Sequence, residues 1–372
     1  MFNEELNDDI GTQAVNPNAP IIQNKDIPDQ IEIPDNQKPN IKMKLDYVYG
    51  YRTKDTRNNV RYLDDKTIIY NAGKLCIIQN LENNTQRYFS GHRENVQCFT
   101  LNKERDLIAS ADGSNESMKS QIIVWDPNTF EVKIPIELDI NGINCLHFSP
   151  NSSKLIAAGL DKDHSLLLIN LSDGEILANT LCGKHKIVSC VFNNENEFAT
   201  VGIKHCKFWT IQNEKELQFI DGEIDENVDK KLGVIEYCKN SYITGSSTGQ
   251  IVIWQNGKSQ NKKKIHDLPV DTLFTNEKYI ISGGRDLCII IMDYDLSELK
   301  KINLESLESS VIPNPRSIDV LDNVENKMLI GTISGEIMEF TFDKDIIDKD
   351  YNVELFNYSH FSTHSQENNE II

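Results

Sequence analysis

Gln121-Ile122-Ile123-Val124-Trp125-Asp126-Pro127 is the stretch whose reading decides the fold. It is an apolar run of strand length closed by Trp-Asp and a proline. Six further segments end at the same phase: KLCIIQN, SLLLINL, CKFWTIQ, QIVIWQN, CIIIMDY and GEIMEFT. Aligned on Trp125, their equivalent positions are Gln79, Ile169, Trp209, Trp254, Met292 and Phe340. Successive positions in chain order are 46, 44, 40, 45, 38 and 48 residues apart. A period of about 40–45 residues with a Trp-Asp strand marks a β-propeller, in which each small sheet buries its faces only against its neighbours.

Every interval repeats one grammar. In the second unit NVQCFTL alternates apolar and polar, and DLIASAD, SQIIVWD and EVKIPIEL follow across short polar turns. Four strand-length runs separated by Asn, Asp, Gly and Ser make one four-stranded blade. The fifth unit gives LGVIEY, SYITGSS, GQIVIWQ and a lysine-rich last strand. Third strands are apolar on both faces in most units, as sheets covered on both sides require. The reading is all-β: a seven-bladed WD40 propeller.

The tryptophans read as structural. A Gly-His before a blade, a Ser or Thr on its second strand, the Trp and a turn Asp can form one buried hydrogen-bond chain. Gly91-His92, Ser110 and Trp125 stand in that order, with Asp126 closing the strand. Buried polar groups require such partners. The pattern is degraded, because only Trp125, Trp209 and Trp254 remain and Met292 fills the place in unit six.

Composition sets outer bounds. Of 372 residues, 57 are acidic and 38 basic, for a net charge of −19. That balance argues against nucleic acid, whose phosphates need a positive footprint. No apolar run reaches the roughly 18 residues of a membrane span, and the acidic opening does not resemble a secretory signal. The eight cysteines fall mostly inside strands without paired spacing, which reads as buried thiols in a reducing, intracellular compartment. Residues 1–43, rich in Asn, Asp, Pro and Gln, read as a disordered or extended arm without heptads. Residues 359–372 read as a polar tail.

Between arm and ring lies LDYVYGYRTKDTRNNVRYL, residues 45–63, with tyrosines alternating at Tyr47, Tyr49 and Tyr51 and then Arg52, Asp55, Arg57, Asn58 and Asn59. This segment closely resembles the HELP motif of the echinoderm microtubule-associated-protein-like (EMAP-like) family, except that Thr56 stands where the family usually has cysteine. Tyr88–His92, Ile108–Gly113, Gly202–Trp209, Ile243–Gly249 and Ile281–Asp286 resemble successive blades of the same family, so the likeness spans about residues 45–358. It implies a microtubule-cytoskeleton protein whose partners are tubulin, microtubules or other cytoskeletal proteins, located in cytoplasm, spindle or ciliary axoneme. A second propeller and an N-terminal basic coiled coil, usual in the family, are not read here. The expectation is therefore a component docked within a larger assembly; the alternative is a general WD40 adaptor in ubiquitin transfer or trafficking.

The HELP segment has a structural reading as well. Its alternating tyrosines would lay one apolar face on the ring, and its end would supply inner strands to the first blade. Residues 44–92 then hold HELP and blade one, and residues 93–358 hold blades two to seven, with NVELFNYSHF as the last outer strand. Two basic clusters are candidate protein contacts: Arg52, Lys54, Arg57 and Arg61 in HELP, and Lys262, Lys263 and Lys264 in blade five. Such local patches can steer association even on an acidic protein, though an outer-edge lysine run also serves to protect a strand edge.

No catalytic constellation emerges. Gly257-Lys258-Ser259 lacks the earlier glycine and following helix of a phosphate loop, and no Gly-x-Ser-x-Gly elbow occurs. Cys182, His185, His205 and Cys206 lack paired zinc-ligand spacing; His185 reads as a blade-start histidine. No cofactor, metal or small-molecule substrate is expected.

Overall fold

The computed structural model describes residues 45–113, 119–223, 231–306, 313–321 and 326–342. Within them the chain forms seven antiparallel sheets in sequence order. Blade one comprises β1 (Val60–Tyr62), β2 (Thr67–Ala72), β3 (Leu75–Asn80) and β4 (Thr85–Phe89). Blades two to six, also four-stranded, occupy 96–138, 143–181, 187–221, 232–264 and 270–303. Blade seven shows three strands among the described residues, from β25 (Pro315–Leu321) to β27 (Ile337–Phe342). The arm 1–43, the expected last strand around NVELFNYSHF and the tail 359–372 lie outside the described residues.

Burial follows position within the blade. The third strand of blade two, β7 (Ser120–Trp125), is buried at every residue, because neighbouring blades cover both its faces. Outermost strands such as β16 (Glu216–Asp221) are mostly exposed and polar. One apolar cluster fills each seam between adjacent blades. Ile122, Val124, Leu155 and Leu167 join blades two and three, and Ile318, Met328 and Ile289 join blades six and seven. Each fully buried Val, Leu or Ile contributes roughly 1.5–3 kcal/mol, so the seams dominate the favourable side of folding.

The seventh seam closes the ring, and HELP builds much of it. Tyr51, Val60 and Tyr62 pack with Ile68, Tyr70 and Ile77 of blade one against Leu329 and Ile337 of blade seven. β1 is the innermost strand of blade one, pairing Val60 with Tyr70 and Tyr62 with Ile68. The segment thus supplies an inner strand, though of only three residues. The expectation of a single tyrosine face requires correction: Tyr51 is buried, whereas Tyr49 is 74% exposed. Residues 45–53 form no strand, and Gly50 at φ 78° breaks the two-residue alternation before Tyr51.

Inside the blades, buried polar chains take the predicted form in one case and depart from it in others. In blade two, His92 Nε2 lies 2.6 Å from Ser110 Oγ, and Trp125 Nε1 donates to the same oxygen at 2.9 Å. Asp112 backs His92 Nδ1 at 3.4 Å. Asp126 accepts the amides of Asn128 and Thr129, fixing the following turn. In blade four, Trp209 donates to Thr200 at 2.8 Å, and Thr200 meets His205 Nε2 at 2.7 Å. The buried histidine is therefore His205, the first residue of β15 (His205–Gln212), and not His185, which is exposed. In blade five, Trp254 donates to Thr244 at 2.8 Å. Blade six, with Met292, still pairs His266 with Ser282 at 2.8 Å and with Asp286 at 2.9 Å.

Candidate interaction surfaces

A recurrent irregularity shapes one mouth of the ring. The inner strand skips a residue against its neighbour at Gln97, Val188, Gly233, Asp271 and Arg316, in blades two, four, five, six and seven. Blade three does so at Asn144, opposite Ala158 and Gly159. A β-bulge re-aims the skipped residue out of the ladder. Here the skipped residues tie blades together: Gln97 Oε1 accepts the amide of Ile143 at 3.1 Å, and Asn144 Nδ2 donates to the Ile187 carbonyl at 2.8 Å. Nothing in the periodicity singles these positions out. The one available signal is a polar residue breaking the apolar start of an inner strand, as in Val270-Asp271-Thr272.

HELP residues 52–59 lie across this mouth as a folded plug. Arg52 forks onto Asp55, with Nε to Oδ1 at 2.7 Å, and hydrogen bonding to Arg52 holds the Asp55 carboxyl below its usual range. Thr56 Oγ1 donates to the Arg52 carbonyl at 2.9 Å and accepts Asn59 Nδ2 at 2.8 Å. Asn58 takes φ 52°, in the left-handed region that Asn tolerates better than most residues. The plug reaches several blades. Arg52 Nη1 donates to the Val96 carbonyl at 3.1 Å and Arg57 Nη1 to the Gly233 carbonyl at 3.1 Å. The Asn58 amide donates to Arg316 O, and Asn58 Oδ1 accepts Thr272 Oγ1 at 2.9 Å.

Its anchor is Asp271, which is 1% exposed and meets Arg57 at 3.0 Å, Arg285 at 2.9 Å and Arg316 at 3.4 Å. Burial raises the Asp271 pKa, but the three guanidiniums outweigh it and hold the carboxyl below the usual range. Three guanidiniums thus converge on one buried carboxylate at the mouth. Lys186 acts on Asp55 through space. Lys54 is exposed, and Lys231 immediately precedes the blade-five strand β17 (Leu232–Cys238).

Arg61 is directed elsewhere. It donates to the Ile318 carbonyl at 3.0 Å and pairs with Asp319 at 3.6 Å, where Arg105 also binds at 2.6 Å. Across the ring, burial pushes the Glu236 carboxyl up to about 7, with Arg61 opposing and Asp319 reinforcing the shift. Arg52, Arg57 and Arg61 thus serve internal contacts, and Lys54 is the exposed cation of that cluster. The second cluster lies on β20 (Lys258–Lys264), the outermost strand of blade five. There Lys263 donates to Leu296 O at 2.9 Å and Lys264 meets Asp267 at 3.6 Å. Cys206 and His205 are both buried while His185 is exposed. Among the described residues no group of three His, Cys, Asp or Glu is placed to hold a metal, and no helix is long and apolar enough to cross a membrane.

Comparison with known proteins agrees with this architecture. Residues 38–77 match the HELP motif, and residues 85–340 match the model described as the echinoderm microtubule-associated protein first beta-propeller. Human echinoderm microtubule-associated protein-like 1 is 25% identical over 325 residues, covering 82% of this chain and 40% of the relative. The 77 kDa echinoderm microtubule-associated protein of Strongylocentrotus purpuratus is 26% identical over 318 residues, covering 80% and 46%. Human echinoderm microtubule-associated protein-like 4 is 27% identical over 335 residues, covering 82% and 33%. The chain therefore spans less than half the length of these relatives. With the HELP plug in place and residues 85–340 matched to the family propeller, the chain belongs to the echinoderm microtubule-associated protein family.

Proposed function

We propose that this chain is a non-enzymatic, microtubule-associated propeller that docks on tubulin or within a cytoskeletal assembly through its plugged mouth. The observation that carries this reading is the convergence of Arg57, Arg285 and Arg316 on Asp271, with Lys54 exposed beside them, on a molecule of net charge −19. A local basic site amid acidic surface orients the encounter with an acidic partner such as the tubulin surface. The relatives' names support the same partner class. The exposed Lys54 and Lys231 would face the partner, the plug arginines holding the segment beneath them, while Lys262, Lys263 and Lys264 form a secondary contact along blade five.

The test is co-sedimentation with polymerised tubulin over a salt series, comparing the native chain with Lys54→Glu/Lys231→Glu. Pelleting that weakens with salt and is lost in the double variant supports docking at the mouth. No pelleting at low salt, together with no binding to tubulin heterodimer, overturns direct binding. That outcome favours the adaptor reading, which the large negative charge also supports. A tagged copy then distinguishes cytoplasmic, spindle and axonemal locations.

A further inference from the structure

Between the outer halves of blades four and five lies a cleft of about 350 Å³. Its floor is a run of touching rings. Phe208 lies 5.1 Å from Tyr242 and 5.9 Å from Trp254, centroid to centroid, and Tyr237 lies 4.9 Å from Tyr242. Ile220 forms an apolar lip on β16 and is 55% exposed. The cleft is remote from the plug and plays no part in the docking proposed above.

One end of the cleft holds two acceptors, the Glu197 carboxylate and Asn193 Oδ1. Burial raises the Tyr237 and Tyr242 phenols, and the Glu197 carboxylate beside them raises both further. Glu197 Oε2 accepts Asn193 Nδ2 at 3.0 Å and Asn194 Nδ2 at 2.9 Å, and no cation among the described residues pairs with it. Asn193 Oδ1 is buried and accepts no hydrogen bond. A buried acceptor left unmade carries the full desolvation cost of the group, so a donor in the cleft would relieve it once the Asn193 side chain turned its carbonyl toward that donor. Around this end two further carboxylates are exposed, Glu214 in the turn before β16 and Glu216 at its first position.

We propose that this cleft binds an arginine side chain presented by an extended segment of a partner protein. Aromatic faces, a carboxylate and an orphaned carbonyl together select a cation over an acid or an alkyl chain. A guanidinium fits better than an ammonium, because it stacks flat on rings and offers forked donors to Glu197 and Asn193. Blade four already holds a cation this way on its opposite side, where Lys207 Nζ lies 3.2 Å from the Phe219 ring centre.

The experiment titrates the full chain with the capped peptide Ac-Gly-Ser-Arg-Ser-Gly-NH2, following tryptophan fluorescence, since Trp254 lines the cleft. The same peptide with norleucine in place of arginine is the control. Saturable binding of the arginine peptide is expected, at least fivefold tighter than the norleucine peptide and about tenfold weakened by Glu197→Gln. Glu197 is exposed, so the variant should melt with the native chain, separating lost binding from lost folding. Equal binding of the two peptides, indifference to Glu197→Gln, or no saturation by 10 mM would each overturn the proposal.

Discussion

Ser110 carries two buried groups at once, the His92 ring and the Trp125 indole N–H. Its counterpart Ser282 carries the His266 ring, because Met292 has no donor to offer. Leaving a buried polar group unpaired costs about 1–3 kcal/mol. Ser110→Ala should therefore destabilise the protein by about 2–4 kcal/mol in urea unfolding, and Ser282→Ala by about half of that. Equal losses would show that the indole bond adds nothing.

Glu236 gives a second test at the same scale. Its folded pKa of about 7 lies above the roughly 4.3 of an unfolded glutamate. Between those values the folded state holds the extra proton, so native stability falls as pH rises through this window. Glu236→Gln removes that loss. The melting temperature of the variant minus that of the native chain should grow from pH 5 to about 7.5 and then level off. A difference independent of pH would remove Glu236 from the linkage.

At the scale of elements, the plug is a short coil made rigid by side chains instead of a ladder. Asp271 is its buried counter-ion, and removing one partner of a buried charge cluster typically costs 3–5 kcal/mol. Asp271→Ala strands Arg57, Arg285 and Arg316 together, and a loss of about that size is expected by denaturant titration. Arg57→Ala should cost much less, because Arg285 and Arg316 still neutralise the carboxylate. A larger loss for Arg57→Ala would place the anchor elsewhere.

For the whole molecule, charge and core act with opposite salt dependence. Net repulsion at −19 opposes the compact ring, while the seven seams that hold it are apolar and unscreened. Raising NaCl from 0.05 to 0.5 M shortens the screening length from above 10 Å to below 8 Å. The melting temperature should rise across that range while microtubule pelleting falls. Parallel movement of the two would separate association from the basic mouth.

Strand order, blade number and the chain's family were legible from residue order alone. Each blade is built from neighbouring segments whose alternation and turn residues are local, so Trp125 and its six equivalents already count the ring. The HELP motif was legible in the same way, as contiguous residues. The roles inside it were not. Tyr49 and Tyr51 look equivalent in sequence, yet the backbone turn at Gly50 exposes one and buries the other. His185 has the expected position, but His205 occupies the space beside Thr200. The mouth lay furthest from view, because Asn58 and Thr272 are 214 residues apart and meet there only when the ring closes. Periodicity encodes contacts between neighbours along the chain; the charges that converge at the mouth were set by closure and by bulges that leave no periodic trace.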